Sequence, residues 1–531
     1  MENLRNKAIL DGVAAAFVDA VLQFCEHPTL QYQWMDYIPE DNEISSPFWS
    51  KTLAQIKAAL QKTPILRPRS KEGLKLISQL KIVPTTFKDS HGNPLVPDLA
   101  NEMYLAPEYG EYLEIAKLKS LGVKAMNVYD CIERIRQDAI SPNPKMKSAT
   151  DDWHVRVARI LLMPFEKEHL REKIPSIRKI PLIPLGYNEW TSITKGKAFF
   201  PYTDGMLIPS DLGLRLVDAN AITNPTRKKL FVQLGVTDAP VESVRNLILE
   251  MHRMSPERIN LKSSVKHLQY LYWTHSLPPI AEKCLSLRKQ TCFCVFDEKN
   301  FRVPSDVDLY FQTDEKYGIQ EFLRPALEED VEGDELGSLI NPEYLNSAPA
   351  GKDLDFPSWE TWLEESLGIL RHPRLANLKD PTKLSKIFCY IVKTHPEKLL
   401  GTLKAHWSSY NGLINSELSS KISDVVVPST NVGAMTLKQT FLPLEDLVGR
   451  CSEFLDAVHF PFLILNDSSI LEEWKFLCTF GVGMNNDLEF YMEVLRHCKA
   501  SGSTFSYGLY EAIQRKCWDS TNSYADRAKV R

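Results

Sequence analysis

Three cysteines form the group of side chains in this chain best suited to bind a metal. Cys292 and Cys294 are separated by one residue, and Cys284 lies eight residues upstream. A structural zinc site takes four ligands, commonly as two C-x2-C pairs, and neither a second pair nor two nearby histidines accompany this group. Alternation along a strand would place Cys292, Cys294 and Phe296 on one face. We therefore expect buried thiols, because free cysteine is among the residues most often buried.

Histidines and paired polar residues are the next candidates, for acid–base chemistry. Four histidines fall on helical patterns and one in a turn, namely His154, His267, His275, His497 and His91. No G-x-S-x-G or H-E-x-x-H sequence supplies them with a nucleophile or a metal partner. The pairs Asp151-Asp152 and Asn486-Asp487 precede helices, where such residues cap the N-terminus. We expect the helical histidines at the edge of the core, His91 in solvent, and no catalytic residue.

Nucleotide and nucleic-acid binding find little support in the sequence. No G-x-x-x-x-G-K-[ST] loop occurs, and Gly481-Val-Gly483 has Asn486 where a dinucleotide fingerprint needs its third glycine. Arg227-Lys228-Lys229 is a short basic cluster in a predicted helix whose other face holds Leu230 and Val232, so a solvated face is its simplest interpretation. A net charge of −5 also disfavours binding to phosphates. We expect no cofactor and no nucleic acid.

Composition places the chain among globular proteins with several cores. It has 531 residues, 44% hydrophobic and 25% charged, which suggests three to five domains. Charged residues interrupt the apolar segment 1–27, and no uncharged run approaches the roughly 20 residues of a membrane span. The ten cysteines are scattered and mostly lie in apolar runs. These features predict a cytoplasmic or nuclear protein without a membrane partner.

Two short sequence landmarks recur along the chain. The first is an aliphatic–Pro–acidic step, found at Val96-Pro97-Asp98, Ile208-Pro209-Ser210-Asp211, Val303-Pro304-Ser305-Asp306 and Leu442-Pro443-Leu444-Glu445. The second is a hydrophobic–Gly–aliphatic step centred on Gly122, Gly235, Gly368 and Gly481, which are 113, 133 and 113 residues apart. Proline ends strands, and glycine permits sharp bends. The recurrence indicates one supersecondary plan used four times.

The segments around these landmarks predict an α+β fold built of tandem modules. Each module is a small, mostly antiparallel sheet or hairpin followed by a helix pair. The predicted hairpins lie at 81–97, 179–209, 291–304 and 424–443. The predicted domains are an N-terminal helical segment at 1–62 and four modules at 63–165, 166–280, 281–410 and 411–531. The third module carries an acidic insertion at Glu328–Glu335, which we interpret as a solvated loop.

The N-terminal segment is predicted to contain two helices. Residues 2–27 place Leu10, Val13, Phe17, Val21 and Phe24 on one stripe, and a second helix covers Pro47–Lys62. An apolar helix of this length needs a surface to pack on. Either the first module or an absent neighbour supplies that surface.

The run Leu80–Tyr109, LKIVPTTFKDSHGNPLVPDLANEMYLAPEY, followed by Leu121-Gly122-Val123, resembles segments of the sacsin-like and NO VEIN-like proteins. The resemblance covers most of residues 1–280 and extends more faintly to the later modules. It implies repeated α/β segments of the kind that follows a GHKL-type ATPase domain in those proteins. Such ATPases use an E-x-x-x-N helix and a D-x-G-x-G loop. Glu2 and Asn6 have the first spacing, but no D-x-G-x-G occurs, so no ATP-binding residue is carried over.

The sequence thus predicts a non-enzymatic, multi-module scaffold that binds a protein partner, either a GHKL ATPase domain or client polypeptides. The alternative is a fragment of an ATP-dependent, chaperone-like GHKL ATPase whose nucleotide domain is missing from this chain. A third class, nucleic-acid binding, would show retention on DNA or RNA that depends on salt. No catalytic, cofactor-binding or metal-ligating residue is assigned.

Overall fold

A computed structural model describes residues 2–27, 31–38, 46–70, 72–88, 91–94, 104–109, 115–186, 189–277, 284–295, 300–328, 336–350, 357–430, 435–465, 471–502 and 506–519. The chain is mostly helical (58%), begins with a helix, and contains several small two-stranded sheets, most of them antiparallel. It divides into two compact units, Met1–Pro240 and Val241–Arg531. The boundary between them falls inside the predicted second module, and the five-part division stays a prediction.

The α-helices are, in chain order, α1 Glu2–Glu26, α2 Pro47–Lys62, α3 Ile115–Ser120, α4 Val128–Ala139, α5 Asp151–Glu166, α6 Ile174–Lys179, α7 Pro225–Leu234, α8 Val241–Met254, α9 Leu261–Trp273, α10 Cys284–Gln290, α11 Gln320–Glu328, α12 Glu343–Asn346, α13 Trp359–Leu367, α14 Lys386–Thr394, α15 Pro396–Ala405, α16 Trp407–Tyr410, α17 Ser416–Ser423, α18 Glu445–Ser452, α19 Leu488–Ser501 and α20 Tyr507–Asp519. The strands are β1 Lys81–Ile82, β2 Lys124–Ala125, β3 Ile183–Pro184, β4 Trp190–Thr191, β5 Tyr202–Thr203, β6 Met206–Leu207, β7 Phe293–Cys294, β8 Phe301–Arg302, β9 Leu309–Tyr310, β10 Ser338–Leu339, β11 Val426–Val427 and β12 Met435–Thr436.

The same set of backbone pairings occurs four times along the chain. An antiparallel hairpin comes first, closed by Leu66↔Lys75, Ile183↔Thr191, Phe293↔Arg302 and Val426↔Thr436. A central residue then pairs in parallel with two later segments, at Lys81 with Tyr104 and Lys124, Phe199 with Leu216 and Thr237, Tyr310 with Leu339 and Leu370, and Phe441 with Phe462 and Gly483. We call these four regions β units 1 to 4, spanning 65–125, 183–237, 293–370 and 426–483.

The hairpin of each β unit joins the parallel segments by one further antiparallel bridge. These bridges are Pro68↔Leu105, Leu185↔Val217, Val295↔Ile340 and Ser429↔Leu463. The amide of the second residue in each bridge donates to the carbonyl of the central residue, as in Leu105 N to Lys81 O (3.1 Å) and Leu463 N to Phe441 O (2.9 Å). The strand order is therefore the same in all four β units.

A helix connects the two parallel partners of each central residue. These crossover helices are α3, α7, α13 and a 3₁₀ helix at Leu471–Phe480. Each is followed by one of the four landmark glycines, with φ between +78° and +109°. The amide after the glycine bonds back into the helix, as in Val236 N to Phe231 O (3.0 Å). This is the left-handed C-terminal cap that glycine adopts without strain, so the glycines occupy equivalent positions.

The proline landmarks do not occupy equivalent positions, contrary to the prediction from the sequence. Pro209 follows its central residue by ten residues, Pro304 precedes its own by six, and Pro443 follows by two. Each does end a strand or bridge, as expected of proline, but not the same one. Pro97 lies outside the described residues.

The first predicted hairpin is present in part, because Lys88 pairs antiparallel with Pro94 around the predicted turn. Its first strand is shorter than predicted, since Thr85–Phe87 is a 3₁₀ helix. The hairpin equivalent to those of the other three β units is the one closed by Leu66↔Lys75. The turn residues 89–90, 187–188, 296–299 and 431–433 and the acidic segment 329–335 lie outside the described residues.

Helix pairs alternate with the β units along the chain, and we number them by order. They are α1/α2, α4/α5, α8/α9, α14/α15 and α19/α20. In the first compact unit, α1 and α2 share a core with β unit 1, and α4 and α5 share a second core with elements of β units 1 and 2. In the second compact unit, residues of α14 and α15 enter the cores of β units 3 and 4, and α19 and α20 pack on β unit 4.

The predicted N-terminal helices are present, and the first module supplies the surface on which they pack. Val18, Val21 and Cys25 of α1 lie in one core with Ile65 and Leu80 of β unit 1. The buried stripe differs from the predicted one, because Ala14 and Val18 occupy it while Val13 is 40% exposed. Both sets follow the spacing of one helix face, and packing on β unit 1 covers the one that contains Val18 and Cys25.

Candidate functional site

The most concentrated group of reactive side chains is a buried cluster in the second compact unit. His252 on α8 lies between two partners, with its Nδ1 3.1 Å from Cys292 Sγ and its Nε2 3.1 Å from Nδ1 of His267 on α9. All three residues are at most 2% exposed. His252 was not predicted from the sequence, because it is 40 residues from Cys292 and only the packing of α8 and α9 brings the side chains together.

Hydrogen bonds within this cluster occupy both ring nitrogens of His252. The backbone amide of Cys292 donates to His252 Nδ1 (3.1 Å), so this nitrogen is an acceptor and Nε2 carries the proton that His267 Nδ1 accepts. The lone pair that a general base would use is therefore occupied. Burial raises the pKa of the Cys292 thiol to about 12, which keeps it from being a thiolate nucleophile near neutral pH.

Neighbouring polar groups complete the same network. The Tyr344 hydroxyl donates to Ser264 Oγ (2.9 Å) and accepts from the Cys294 amide (2.9 Å). Cys292 and Cys294 are both buried, as predicted. The residue between them and the residues on either side are also buried, so both faces of this strand are covered. Among the described residues, no three His, Cys, Asp or Glu side chains are placed to hold a metal ion.

A second group surrounds His154 on α5 in the first compact unit. The imidazole stacks on Trp190 (ring centroids 5.3 Å apart), and Trp153 meets it edge-on. Arg227 Nη1 contacts Asp151 Oδ1 at 2.8 Å while only 6% of Arg227 is exposed. The adjoining cavity measures about 20 Å³, room for one water and not for a substrate. Burial, with Arg227 second, lowers the pKa of His154 to about 4.

Arg227 corrects the prediction for the basic cluster. The sequence placed it on a solvated face, but its guanidinium is buried against Asp151, while Val232, predicted on the inner face, is 50% exposed. The reason is that α7 packs on α5, so contact with that helix decides which side of α7 is covered. Asp151 acts as an ion-pair partner, and the N-cap of α5 is Thr150.

A cleft of about 190 Å³ lies beside the central residue of β unit 1. Lys81 Nζ contacts Asp130 Oδ2 at 2.7 Å on its wall, and the remainder is lined by Tyr104, Met126, Glu133, Arg134 and Gln137. Ligand pockets usually enclose about 300–1,000 Å³ and are mostly apolar. The cleft is smaller, and its opposite charges are mutually compensated, so it does not favour a charged ligand of either sign.

The residues of the incomplete dinucleotide fingerprint, Gly481, Gly483 and Asn486, make contacts within the fold. Gly481 is the C-terminal cap of a crossover helix, and Gly483 pairs with Phe441. A Cβ on Gly483 would come within 2.2 Å of the Phe441 ring. Asp487 caps α19 as predicted, through the amide of Phe490 (3.0 Å), and Asn486 donates to Asp446.

The remaining predicted histidines have ordinary environments. His267 is fully buried and not at the edge of the core, whereas His497 lies 3.3 Å from Glu493 Oε1 on the same helix. His91 is exposed in its turn, as predicted. Outside that set, His372 and His406 stack with centroids 5.1 Å apart, and burial lowers the pKa of His372 to about 4.

Exposed apolar side chains cluster in sequence near the N-terminus. Ile9 and Val13 of α1 are 52% and 40% exposed, Phe48 and Trp49 of α2 are 44% and 57% exposed, and Tyr37 is 64% exposed. We call these five residues the N-terminal exposed set. Exposed aromatic side chains are enriched at protein interfaces because they bury a large area at low entropic cost.

One helix within the described residues, Arg5–Glu26, has the length and apolar composition of a membrane span. Core helices and N-terminal signal sequences have the same properties, and one face of this helix packs on β unit 1. Localisation in the cytoplasm or nucleus stays a prediction.

Comparison with known proteins returned no matching family model, no similar curated protein and no similar solved structure.

Proposed function

We propose that the chain is a non-enzymatic scaffold of four tandem modules, each a small sheet followed by a helix pair, that binds a protein partner. The observation that carries the proposal is the fourfold recurrence of one strand order with one glycine-capped crossover helix. A plan reused in series is typical of proteins that recognise other molecules through repeated elements rather than at one reaction centre.

The environments of the reactive side chains support a non-catalytic role. His252, Cys292 and His267 bond to one another away from solvent, and Arg227 is neutralised by Asp151. Catalytic groups must instead reach a substrate in an accessible cleft. Resemblance to the repeats of sacsin-like proteins points in the same direction.

The partner that this arrangement favours is an exposed, apolar polypeptide segment bound at the N-terminal exposed set. Trp49 and Phe48 are adjacent, their rings are 5.4 Å apart, and both lie outside the core that α2 forms with β unit 1. Aromatic side chains of this kind act as anchors in protein interfaces.

The proposal is tested by suppression of aggregation, with thermally unfolding citrate synthase as the probe. We expect the wild-type chain to suppress light scattering in proportion to its concentration, and the double variant Phe48→Glu, Trp49→Glu to lose at least half of that effect. Val232→Glu, at an exposed apolar position on α7, is the matched control and should behave as wild type.

Two results would contradict this function. One is the absence of suppression at any ratio of wild-type chain to citrate synthase. The other is turnover of ATP, esters or peptides well above the buffer rate by the purified chain.

A further inference from the structure

Tyr317 in β unit 3 has a backbone conformation that its residue type rarely adopts. Its φ is +64°, and it is the third residue of a turn in which the amide of Gly318 donates to Glu315 O (2.9 Å). A positive φ at this position favours glycine or asparagine, because a larger side chain crowds the backbone. Asp204, the other non-glycine residue with positive φ in the described part of the chain, lies in a two-residue hairpin turn that suits it. Backbone strain outside such turns is concentrated in clamps and switches.

Gly401 in the middle of α15 makes room for the ring of Tyr317. A Cβ at Gly401 would overlap Cζ of this ring, so no larger residue fits beneath it. Gly401 is the sixth of the ten residues of α15, where glycine is less favourable than alanine. The two residues are far apart in the sequence, yet both depart from local preference, and they meet at one contact. Natural chains break local rules of this kind mainly at functional sites.

Hydrogen bonds engage both backbone groups of Tyr317. Its amide donates to Glu321 Oε2 in the first turn of α11 (2.9 Å), and its carbonyl accepts from Nε2 of His406, directly after α15 (3.1 Å). The other carboxylate oxygen of Glu321 contacts Lys398 Nζ on α15 (2.9 Å). All of these residues belong to the second compact unit. The turn is therefore fastened to α15 by the ring, by the carbonyl and, through Glu321, by the amide of one residue.

Other features of the segment around this turn oppose the docked position. Residues 312–318 contain neither helix nor strand, and residues 314–316 are exposed. Oε1 of Gln312 and Oγ1 of Thr313 are buried without a hydrogen-bond partner within the described residues, so both would gain water if the segment moved away. A segment with strain, orphaned polar atoms and little regular structure opens locally at a lower free energy than global unfolding requires.

We propose that residues 312–318 form a strap that closes on α15, with Tyr317 as its catch, and that opens while the rest of the chain stays folded. Closing seats the ring of Tyr317 over Gly401. Opening withdraws the ring and uncovers Nε2 of His406, whose imidazole stacks on that of His372. The chain thereby has two conformations that differ in the surface presented at α15. The binding of a polypeptide at the N-terminal exposed set does not enter this inference, so each proposal can fail without the other.

Limited proteolysis with trypsin tests the strap, because Lys316 is exposed and the bond after it lies inside the strap. The rate of cutting follows the population of the open form when opening and closing are fast. We expect Gly401→Ala to raise the initial rate of cutting after Lys316, read by mass spectrometry, by at least about tenfold, because the added methyl group displaces the ring. The urea midpoint of the whole chain should stay the same or rise, since alanine favours the helix.

Tyr317→Asn removes the ring and keeps a residue that tolerates positive φ. It should also raise the rate of cutting after Lys316. Adding Gly401→Ala to the Tyr317→Asn background should then change that rate by less than about twofold, because no ring remains to be displaced. Circular dichroism should show that every variant is folded.

Gly449→Ala is the matched control, because Gly449 lies inside α18 and a Cβ there meets nothing within 4 Å. It should leave the rate of cutting after Lys316 as in the wild type. An unchanged rate in both Gly401→Ala and Tyr317→Asn would overturn the proposal. A urea midpoint lowered by Gly401→Ala would show instead that the segment is a fixed part of the core. Independent effects of the two substitutions in the double variant would show that the ring of Tyr317 is not the catch.

Discussion

Side-chain environments, rather than residue types, decide which groups of this protein can react. His252 and Cys292 have the composition of a thiol–imidazole pair, yet the backbone amide of Cys292 uses the nitrogen that would act as base. The thiol has a pKa raised to about 12 by burial. The pair therefore contributes hydrogen bonds to the core between α8, α9 and β7.

Two other histidines make the free energy of unfolding depend on pH. Burial lowers the pKa of His154 and of His372 from 6.5 to about 4, with Arg227 and His406 as the next largest causes. The unfolded chain binds these protons more readily than the folded chain does. The contribution of the two neutral histidines to the free energy of unfolding is therefore fully present above pH 6.5 and is lost as the pH falls toward 4. The loss should be about 1 kcal/mol per histidine, allowing for solvent contact of the rings.

We expect the variant His154→Gln, His372→Gln to show a flatter dependence of the urea midpoint on pH between 6.5 and 4. His169→Gln, at an exposed position, should keep the wild-type dependence. An unchanged slope in the double variant would show that other groups cause the acid sensitivity.

The sequence predicted the roles of residues whose environment is set by neighbours a few positions away in the chain. Asp487 at the start of α19 and the buried Cys292 and Cys294 were recognised because capping and apolar runs are local signals. His252 and Arg227 were not, because their partners lie 40 and 76 residues away. Only the packing of separate helices establishes those contacts.

At the scale of elements, the crossover helix and its terminal glycine are the most regular feature. Gly235 has φ +109° and ends α7 at the turn into the segment that pairs with Phe199. A side chain is strained at this φ whatever space surrounds it. We expect Gly235→Ala to destabilise the chain by about 1–3 kcal/mol, measured as a lower urea midpoint.

Gly412→Ala is the control for this prediction. A Cβ at Gly412 meets nothing within 4 Å, and the residue is not among the glycines with positive φ, so the midpoint should change by less than about 0.5 kcal/mol. Equal effects of the two substitutions would show that the cap does not constrain the fold.

Helices were predicted better than the sheets that they connect. The bounds of α2 match the prediction, because apolar periodicity and Pro47 are read locally. The sheets were harder to predict for two reasons. The strand partners of Phe199 and Tyr310 are 17 to 60 residues away in the chain. Strands of two residues are also too short to show the alternation of apolar and polar residues that identifies a strand. The glycine landmarks were informative because a left-handed cap requires glycine, whereas proline ends any strand.

At the scale of the whole molecule, the chain alternates helix pairs with β units. The core around α4 and α5 contains Tyr104 of β unit 1 and Val217 of β unit 2, so these two β units share a helix pair. Shared cores couple successive elements as in repeat proteins, where each repeat is stabilised by its neighbours. The proposed scaffold function follows from this serial plan.

Amide hydrogen exchange at four equivalent residues tests most directly whether the four β units share one strand order. Leu105, Val217, Ile340 and Leu463 each donate to the carbonyl of a central residue, at 2.9–3.1 Å, from segments with little regular structure. We predict that all four amides exchange at least about 100-fold more slowly than that of Gly205 in an exposed turn. If any one of them exchanged as fast as Gly205, the four β units would not share one architecture.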